Sequence, residues 1–378
     1  MKTRWGNICT LEYGKGLRNC PEAPSEMDRY RVYGTNGPIG WTSEPLSPGP
    51  GVIVGRKGAY RGIHFSREPF FVIDTAYYLR LKDSSVDMKW AYYNLLTVDI
   101  NRIDVGAAIP TTNRDSFYAV PVVVPPLDKQ SRIASILSAY DDLIDNNLRR
   151  IKLLEESAKQ LYKEWFVRLR FPGYEHAKIR NGAPEGWQQL KAPDVMEINP
   201  RTLIRDGEIE ITYVPMSSLS EGHMTVSFDL FEKRPKATGS KFKNGDVLFA
   251  RITPCLENGK TAYVNFLSDG EVACGSTEFI VLRNKFLSPE FVYCLARTDE
   301  FRGNAIKSMI GSSGRQRVQE SCFDEFKVPL PSRLIMDQFQ EAVEPIFNKI
   351  RVLQFQSQRL RQARDILLPK LMSGAILR

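Results

Sequence analysis

The chain has 378 residues, a net charge of +8 and a pI near 9.1. That length carries two or three domains, and the charge favours a polyanionic partner without demanding one. Six cysteines without CxxC spacing and three scattered histidines argue against structural zinc; the Met1-Lys2-Thr3-Arg4-Trp5 start opens no apolar run, and nothing approaches 18 consecutive apolar residues, so we expect a cytoplasmic protein with reduced thiols and no membrane span.

Residues 1–126 alternate short β-like runs with turn signals: Gly51-Val52-Ile53-Val54, Phe70-Phe71-Val72-Ile73, Tyr77-Tyr78-Leu79-Arg80-Leu81. Loops rich in glycine separate them, among them Tyr33-Gly34-Thr35-Asn36-Gly37 and Gly55-Arg56-Lys57-Gly58. Residues 86–99 read as one amphipathic helix, and Gly106-Ala107-Ala108-Ile109-Pro110-Thr111-Thr112-Asn113-Arg114 as a further loop.

Residues 127–172 form a long helix. Its apolar ladder runs Ile133, Leu137, Tyr140, Ile144, Ile151, Leu154, Ala158, Leu161, Trp165, with Asn147 as the polar rung. Alternating spacings of three and four over more than four heptads specify a helix packed lengthwise on a partner, about 40 residues and roughly 60 Å long. Phe171-Pro172-Gly173 ends it, and residues 173–186 are a linker.

The partner ladder lies in residues 332–378: Phe339, Val343, Ile346, Ile350, Leu353, Ser357, Leu360, Arg364, Leu367, Leu371. Each rung keeps a constant offset from the first ladder, and Val-Pro stretches precede both. Pro345 predicts a short helix to about Glu344 and then a bend, and Pro369 predicts disturbed last turns. Between the ladders, residues 187–331 repeat the plan of residues 1–126. Trp187 restarts it as Trp5 began the first copy. Gly245-Asp246-Val247-Leu248-Phe249-Ala250-Arg251 answers Gly51 to Arg56, Ser276-Thr277-Glu278-Phe279 answers Asp74-Thr75-Ala76-Tyr77, and Gly311-Ser312-Ser313-Gly314-Arg315-Gln316-Arg317 takes the place of the loop ending in Arg114. The chain is a duplicated module, a domain followed by a long helix, twice.

Catalytic signatures are broken wherever they begin. Gly259-Lys260-Thr261 lacks the upstream glycine of a phosphate-binding loop, because Pro254 stands there. Asn199-Pro200 is followed by Arg201, which spoils an amino-methyltransferase motif, and Glu325-Phe326-Lys327 lacks a partner carboxylate for a nuclease site. We assign no catalytic residue and no metal ligand.

The order domain–helix–domain–helix, with Val124-Pro125-Pro126-Leu127, Gln130 and Ile133 opening the first helix, Gly55-Arg56-Lys57-Gly58, Gly245-Asp246-Val247-Leu248 and Thr277-Glu278-Phe279, resembles the specificity subunit of Type I restriction–modification enzymes along the whole chain. The second helix departs from it, with Pro331-Ser332-Arg333 leading in and Gln338 late. The resemblance implies an α+β fold: two related target recognition domains (1–126 and 187–331), each a mixed or antiparallel β-sheet with short helices. They are separated by two long helices, the central and C-terminal conserved regions, which form an antiparallel coiled coil. It implies a non-catalytic subunit that reads a split sequence in double-stranded DNA and directs two modification (methyltransferase) subunits, and restriction (translocase/nuclease) subunits where present, to it. S-adenosylmethionine, and ATP with Mg for restriction, belong to those partners, and this chain needs no cofactor. Two other readings compete: a coiled-coil scaffold without DNA recognition, which the Arg/Asn/Gln loops disfavour, and a stand-alone nuclease or methyltransferase, which needs the missing motifs.

Arginine reads guanine bidentately, and Asn or Gln reads adenine. The expected DNA contacts in the first domain are therefore Lys15, Asn36, Arg56, Lys57, Arg61, Thr112, Asn113 and Arg114. In the second they are Ser217, Ser218, Arg251, Lys260, Ser313, Arg315, Gln316 and Arg317. In an antiparallel pair Ile133 falls near Leu371, Trp165 near Phe339, and Asn147 within about a turn of Ser357.

Overall fold

The structure is a computed structural model that describes residues 1–103, 109–180, 182–203, 210–312 and 314–376. It divides into two compact units, residues 1–143 with 360–378, and residues 144–359. Each unit therefore contains one globular domain and a stretch of both long helices.

In the first unit, four antiparallel strands lie in the order Cys9–Tyr13, Ala76–Leu81, Gly51–Gly55, Ile63–Ser66. A second sheet orders Gly37–Thr42, Tyr30–Gly34 and Phe70–Val72, the last two parallel. Every residue of Gly51–Gly55 is buried. Period-2 alternation explains this, since successive side chains enter different cores. Val52 and Val54 meet Trp5, Trp90 and Leu79, while Ile53 meets Phe70 and Val72.

The second unit repeats the design. Its main sheet runs Met196–Ile198, Phe279–Asn284, Val247–Ala250, Thr261–Tyr263. Its companion sheet runs Glu232–Arg234, Ile211–Val214, Val272–Gly275, Ser240–Lys243, again with one parallel pair, here the central one. Val247 and Phe249 enter one core and Leu248 the other. In each unit a two-stranded pair ties the domain's two ends: Lys2–Arg4 with Pro121–Val123, and Gln188–Lys191 with Lys327–Leu330. A one-turn helix follows the first strand of each pair, Trp5–Ile8 and Ala192–Val195. Ala192, not Trp187, thus stands where Trp5 stands: Trp5 N donates to Val120 O and Ala192 N to Phe326 O. Matching tryptophan to tryptophan misplaced the repeat because the second copy's aromatic is only partly buried and packs at the margin of the core, on Phe166 and Phe171.

The first long helix is Leu127–Tyr162, continued by a π-helical turn, Lys163–Val167. The second is Arg333–Met372, a single helix continuous through Pro345 and Pro369, which corrects the expected short separate helix ending near Glu344. An interior proline costs about 3 kcal/mol. Val343, Phe347 and Ile350 on either side of Pro345, and Leu367, Leu368 and Leu371 around Pro369, are packed into cores and offset that cost.

The helices pair antiparallel. Within the first unit, Ile133 and Leu137 share a core with Leu371 and Leu367. Within the second, Ile151, Leu154, Ala158, Leu161 and Trp165 pack with Phe339, Val343, Ile346, Ile350 and Leu353, and the Trp165 and Phe339 rings lie 5.8 Å apart. Ile144 is buried, and Tyr140 and Leu360 are half-buried. Asn147 is buried too, and its Nδ2 donates to Gln356 Oε1 at 3.3 Å, one residue from the expected Ser357. The Ser357 hydroxyl instead donates back to Leu353 O of its own helix, at 2.8 Å. Beyond Ile151 the most buried positions become Glu155, Ala158, Tyr162 and Phe166. A helix of 3.6 residues per turn drifts off a 3.5 repeat, and the second domain covers the face that emerges.

Candidate nucleic-acid interface

In each unit three loops cross at the end of the main sheet, held by the same backbone bonds. In the first, Arg56 N donates to Thr75 O (2.9 Å) and Thr112 N donates to Arg56 O (2.8 Å). In the second, Arg251 N donates to Glu278 O (3.0 Å) and Val318 N donates to Arg251 O (2.8 Å). Thr75 thus corresponds to Glu278 and Thr112 to Val318. Matching Thr75 to Thr277 by sequence displaced that pairing by one position, because only the strands, not the loops, share a pattern. Gly55 is required at the first crossing: a Cβ there would lie 2.7 Å from Thr35 O and 2.9 Å from Arg61 Cβ.

On the first crossing, the Arg56 and Arg114 guanidiniums sit 4.8 and 4.7 Å from the ring centroid of the exposed Tyr13. Arg56 Nη1 donates to Asp74 O at 2.9 Å, and Lys57 pairs with the Asp74 carboxylate at 3.2 Å. Lys15, exposed, follows Tyr13 by two residues. Burial pushes the neighbouring Tyr77 phenol up in pKa, and its hydroxyl donates to Thr112 O at 3.3 Å. The result is a cationic patch built on an aromatic ring, a combination suited to phosphates and bases alike. Tyr13 was not among the sequence candidates; its signal was an aromatic two residues before Lys15 at a strand end.

Three candidates are corrected. Arg61 is 2% exposed; its backbone N donates to Asn101 Oδ1 and its Nη2 to Asn101 O, both at 2.8 Å, so it braces the loop from within. Thr112 is fully buried, and its hydroxyl donates to Gly55 O at 2.9 Å. Ser218 is 1% exposed and donates to Pro215 O at 2.7 Å. Each is spent on an internal bond that the loop needs. Asn113 caps the helix Arg114–Ala119, accepting from Ser116 N at 2.9 Å, a bond worth about 1 kcal/mol. Asn36 is exposed on the turn after Tyr30–Gly34, beside a depression that Tyr60 and His64 also line.

On the second crossing, Arg251 is half-buried and joins loops, donating to Glu320 Oε1 (3.0 Å) and Val318 O (3.1 Å). Lys260 reaches Met216 O at 3.4 Å. Gln316 is half-buried, with its backbone N on Thr253 Oγ1 at 3.0 Å. Ser217 and Arg315 are exposed, and Arg317 is bound bidentately by Glu278, which sequence reasoning also missed. Ser313 lies outside the described residues. Among the described residues there is no group of three or more His, Cys, Asp or Glu side chains placed to hold a metal ion, and no helix is long and apolar enough to cross a membrane.

The family model described as the Type I restriction modification DNA specificity domain matches twice, over residues 15–156 and 184–353. The chain belongs to this family. Its function is DNA target recognition as a Type I specificity subunit. The Type I restriction enzyme MjaIX specificity subunit of Methanocaldococcus jannaschii is 26% identical over 310 residues, which cover 78% of this chain and 70% of that one. The EcoEI specificity subunit of Escherichia coli is 31% identical over 152 residues, 39% of this chain and 25% of that one. The crystal structure of the S subunit of a Type I restriction–modification system from M. genitalium superposes with a TM-score of 0.60 at 17% identity, covering 98% of this chain and 96% of that chain, and so shares the specificity-subunit fold.

Proposed function

We propose that this chain reads a bipartite DNA sequence, one half per domain, and that its paired helices set the gap between the halves. The observation that carries this reading is the duplicated loop crossing. One backbone scaffold occurs twice, and it displays Arg56, Lys57, Arg114 and Tyr13 in one copy but Arg315, Gln316, Arg317 and Glu278 in the other. Different side chains on one scaffold are what two different half-sites require.

The chemistry is assigned to partners. Two modification subunits would bind this chain and carry S-adenosylmethionine, and restriction subunits using ATP and Mg would join them. The chain itself would methylate and cleave nothing, in keeping with the broken motifs at Pro254, Arg201 and Glu325. The test is methylome sequencing of cells with and without the gene. We expect one split motif to lose methylation when the gene is deleted. An unchanged methylome in cells that express the modification subunits, or methyl transfer by the purified chain alone, would overturn this reading.

A further inference from the structure

Arg317 is exposed yet held. Its Nε donates to both oxygens of Glu278, at 2.9 and 3.0 Å, and its Nη2 donates to Oε1 at 2.7 Å. The side chains are 47% and 21% exposed. The backbone fixes both ends of the pair. Arg317 exchanges two 3.0 Å bonds with Ile310, and Glu278 O accepts from Arg251 N at the loop crossing. Nη1 has no bond to a described residue, so one edge of the guanidinium is pinned and the other is open.

An exposed ion pair contributes little to stability. On a face that meets a polyanion, a carboxylate also weakens binding by repulsion. The bidentate geometry gives the pair some worth to the loop, but phosphate binding gains nothing from Glu278. Bidentate base reading does gain from it, since it needs the plane of an arginine fork fixed before contact.

We infer that Glu278 is a specificity-determining positioning residue: it holds the Arg317 guanidinium in the plane that reads one guanine of the second half-site, and its charge disfavours contact with phosphate alone. This rests on the proposed reading of the second loop crossing as a DNA-facing surface. Among the described residues, the first loop crossing shows no counterpart. Thr75 stands where Glu278 stands, and the nearby Asp74 carboxylate holds Lys57, a point charge without a fork.

The test uses the complex of this chain with its modification subunits, carrying R317A, E278A or E278Q. The methylated motif is sequenced, and binding to cognate and scrambled duplexes is measured between 50 and 200 mM salt. We expect R317A to relax one position of the second half-site. Both Glu278 variants should relax that same position while binding scrambled DNA about 3- to 10-fold more tightly, with a specificity ratio that falls roughly 10-fold or more. The first half-site should not change, and the near-isosteric E278Q should keep the wild-type unfolding temperature. If R317A relaxes a position that both Glu278 variants keep, or if R317A relaxes none, the inference is overturned while DNA reading stands. If the wild-type complex itself methylates no split motif, the proposed function falls instead.

Discussion

The two domains are fastened to the paired helices by different chemistry at matching places. In the first unit Tyr93 OH donates to Asp141 Oδ2 (2.5 Å), and Arg364 Nη1 donates to Asp141 Oδ1 (2.6 Å), so a tyrosine of the domain, an acid of one helix and a base of the other form a single chain of bonds. In the second unit the ladder positions answering Asp141 and Arg364 are Phe347 and Ala158. There the joint is aromatic: Phe339 packs on Tyr162, Trp165, Phe166 and Phe291, and Phe347 on Tyr263 and Tyr293. Buried Glu155 adds a latch, accepting from Tyr293 OH (2.6 Å) and Met224 N (3.0 Å). A duplicated scaffold thus keeps its geometry while the bonds that enforce it diverge, as its reading loops have done.

The largest effect is expected in the aromatic joint. Phe339→Ala should destabilise the second unit by about 3–5 kcal/mol. Hydrogen exchange should show the loss in residues 144–359 before residues 1–143. Glu155→Ala should come next, because it leaves the Tyr293 hydroxyl and the Met224 amide buried without a partner, at about 1–3 kcal/mol each. If denaturant unfolding shows less than 1 kcal/mol in total, water replaces the carboxylate and the latch is not structural. In the polar joint, Asp141→Asn should cost about 1.5–3 kcal/mol and act on the first unit. An equal loss of exchange protection in both units would mean that the joints are not independent.

The smallest effect concerns pH. Burial, with Glu344 nearby, raises the Glu290 carboxyl above its ordinary 4.5, and Tyr263 OH donates to it at 3.0 Å. The folded chain therefore holds a proton that the unfolded chain releases, and stability is lost as pH rises from 4.5 through the folded value. Glu290→Gln should flatten that part of the stability–pH profile and raise the unfolding temperature at neutral pH. An unaltered slope would remove Glu290 from the account.

The ladders were legible because heptad spacing is local and repeated. Ile133, Leu137, Ile151, Phe339, Val343, Ile350, Leu353 and Leu371 are all buried. Glu155, Tyr162, Phe166 and Phe347 were not read, since the domain that covers them is remote in sequence and no spacing rule announces it. Pro345 misled because its local cost is readable and the packing that offsets it is not. The loops were legible only as loops. Whether Arg61 turns inward to Asn101 or Arg317 outward to Glu278 depends on backbone crossings between segments distant in sequence. Residue type alone is the same in both.

On the proposed reading, two separate surfaces on one chain read two half-sites. Replacing residues 1–126 with the corresponding domain of another specificity subunit, and sequencing the methylated motif of the resulting enzyme, tests it most directly. The account predicts a new first half-site, an unchanged second half-site and an unchanged gap. A motif in which both half-sites change together would contradict it.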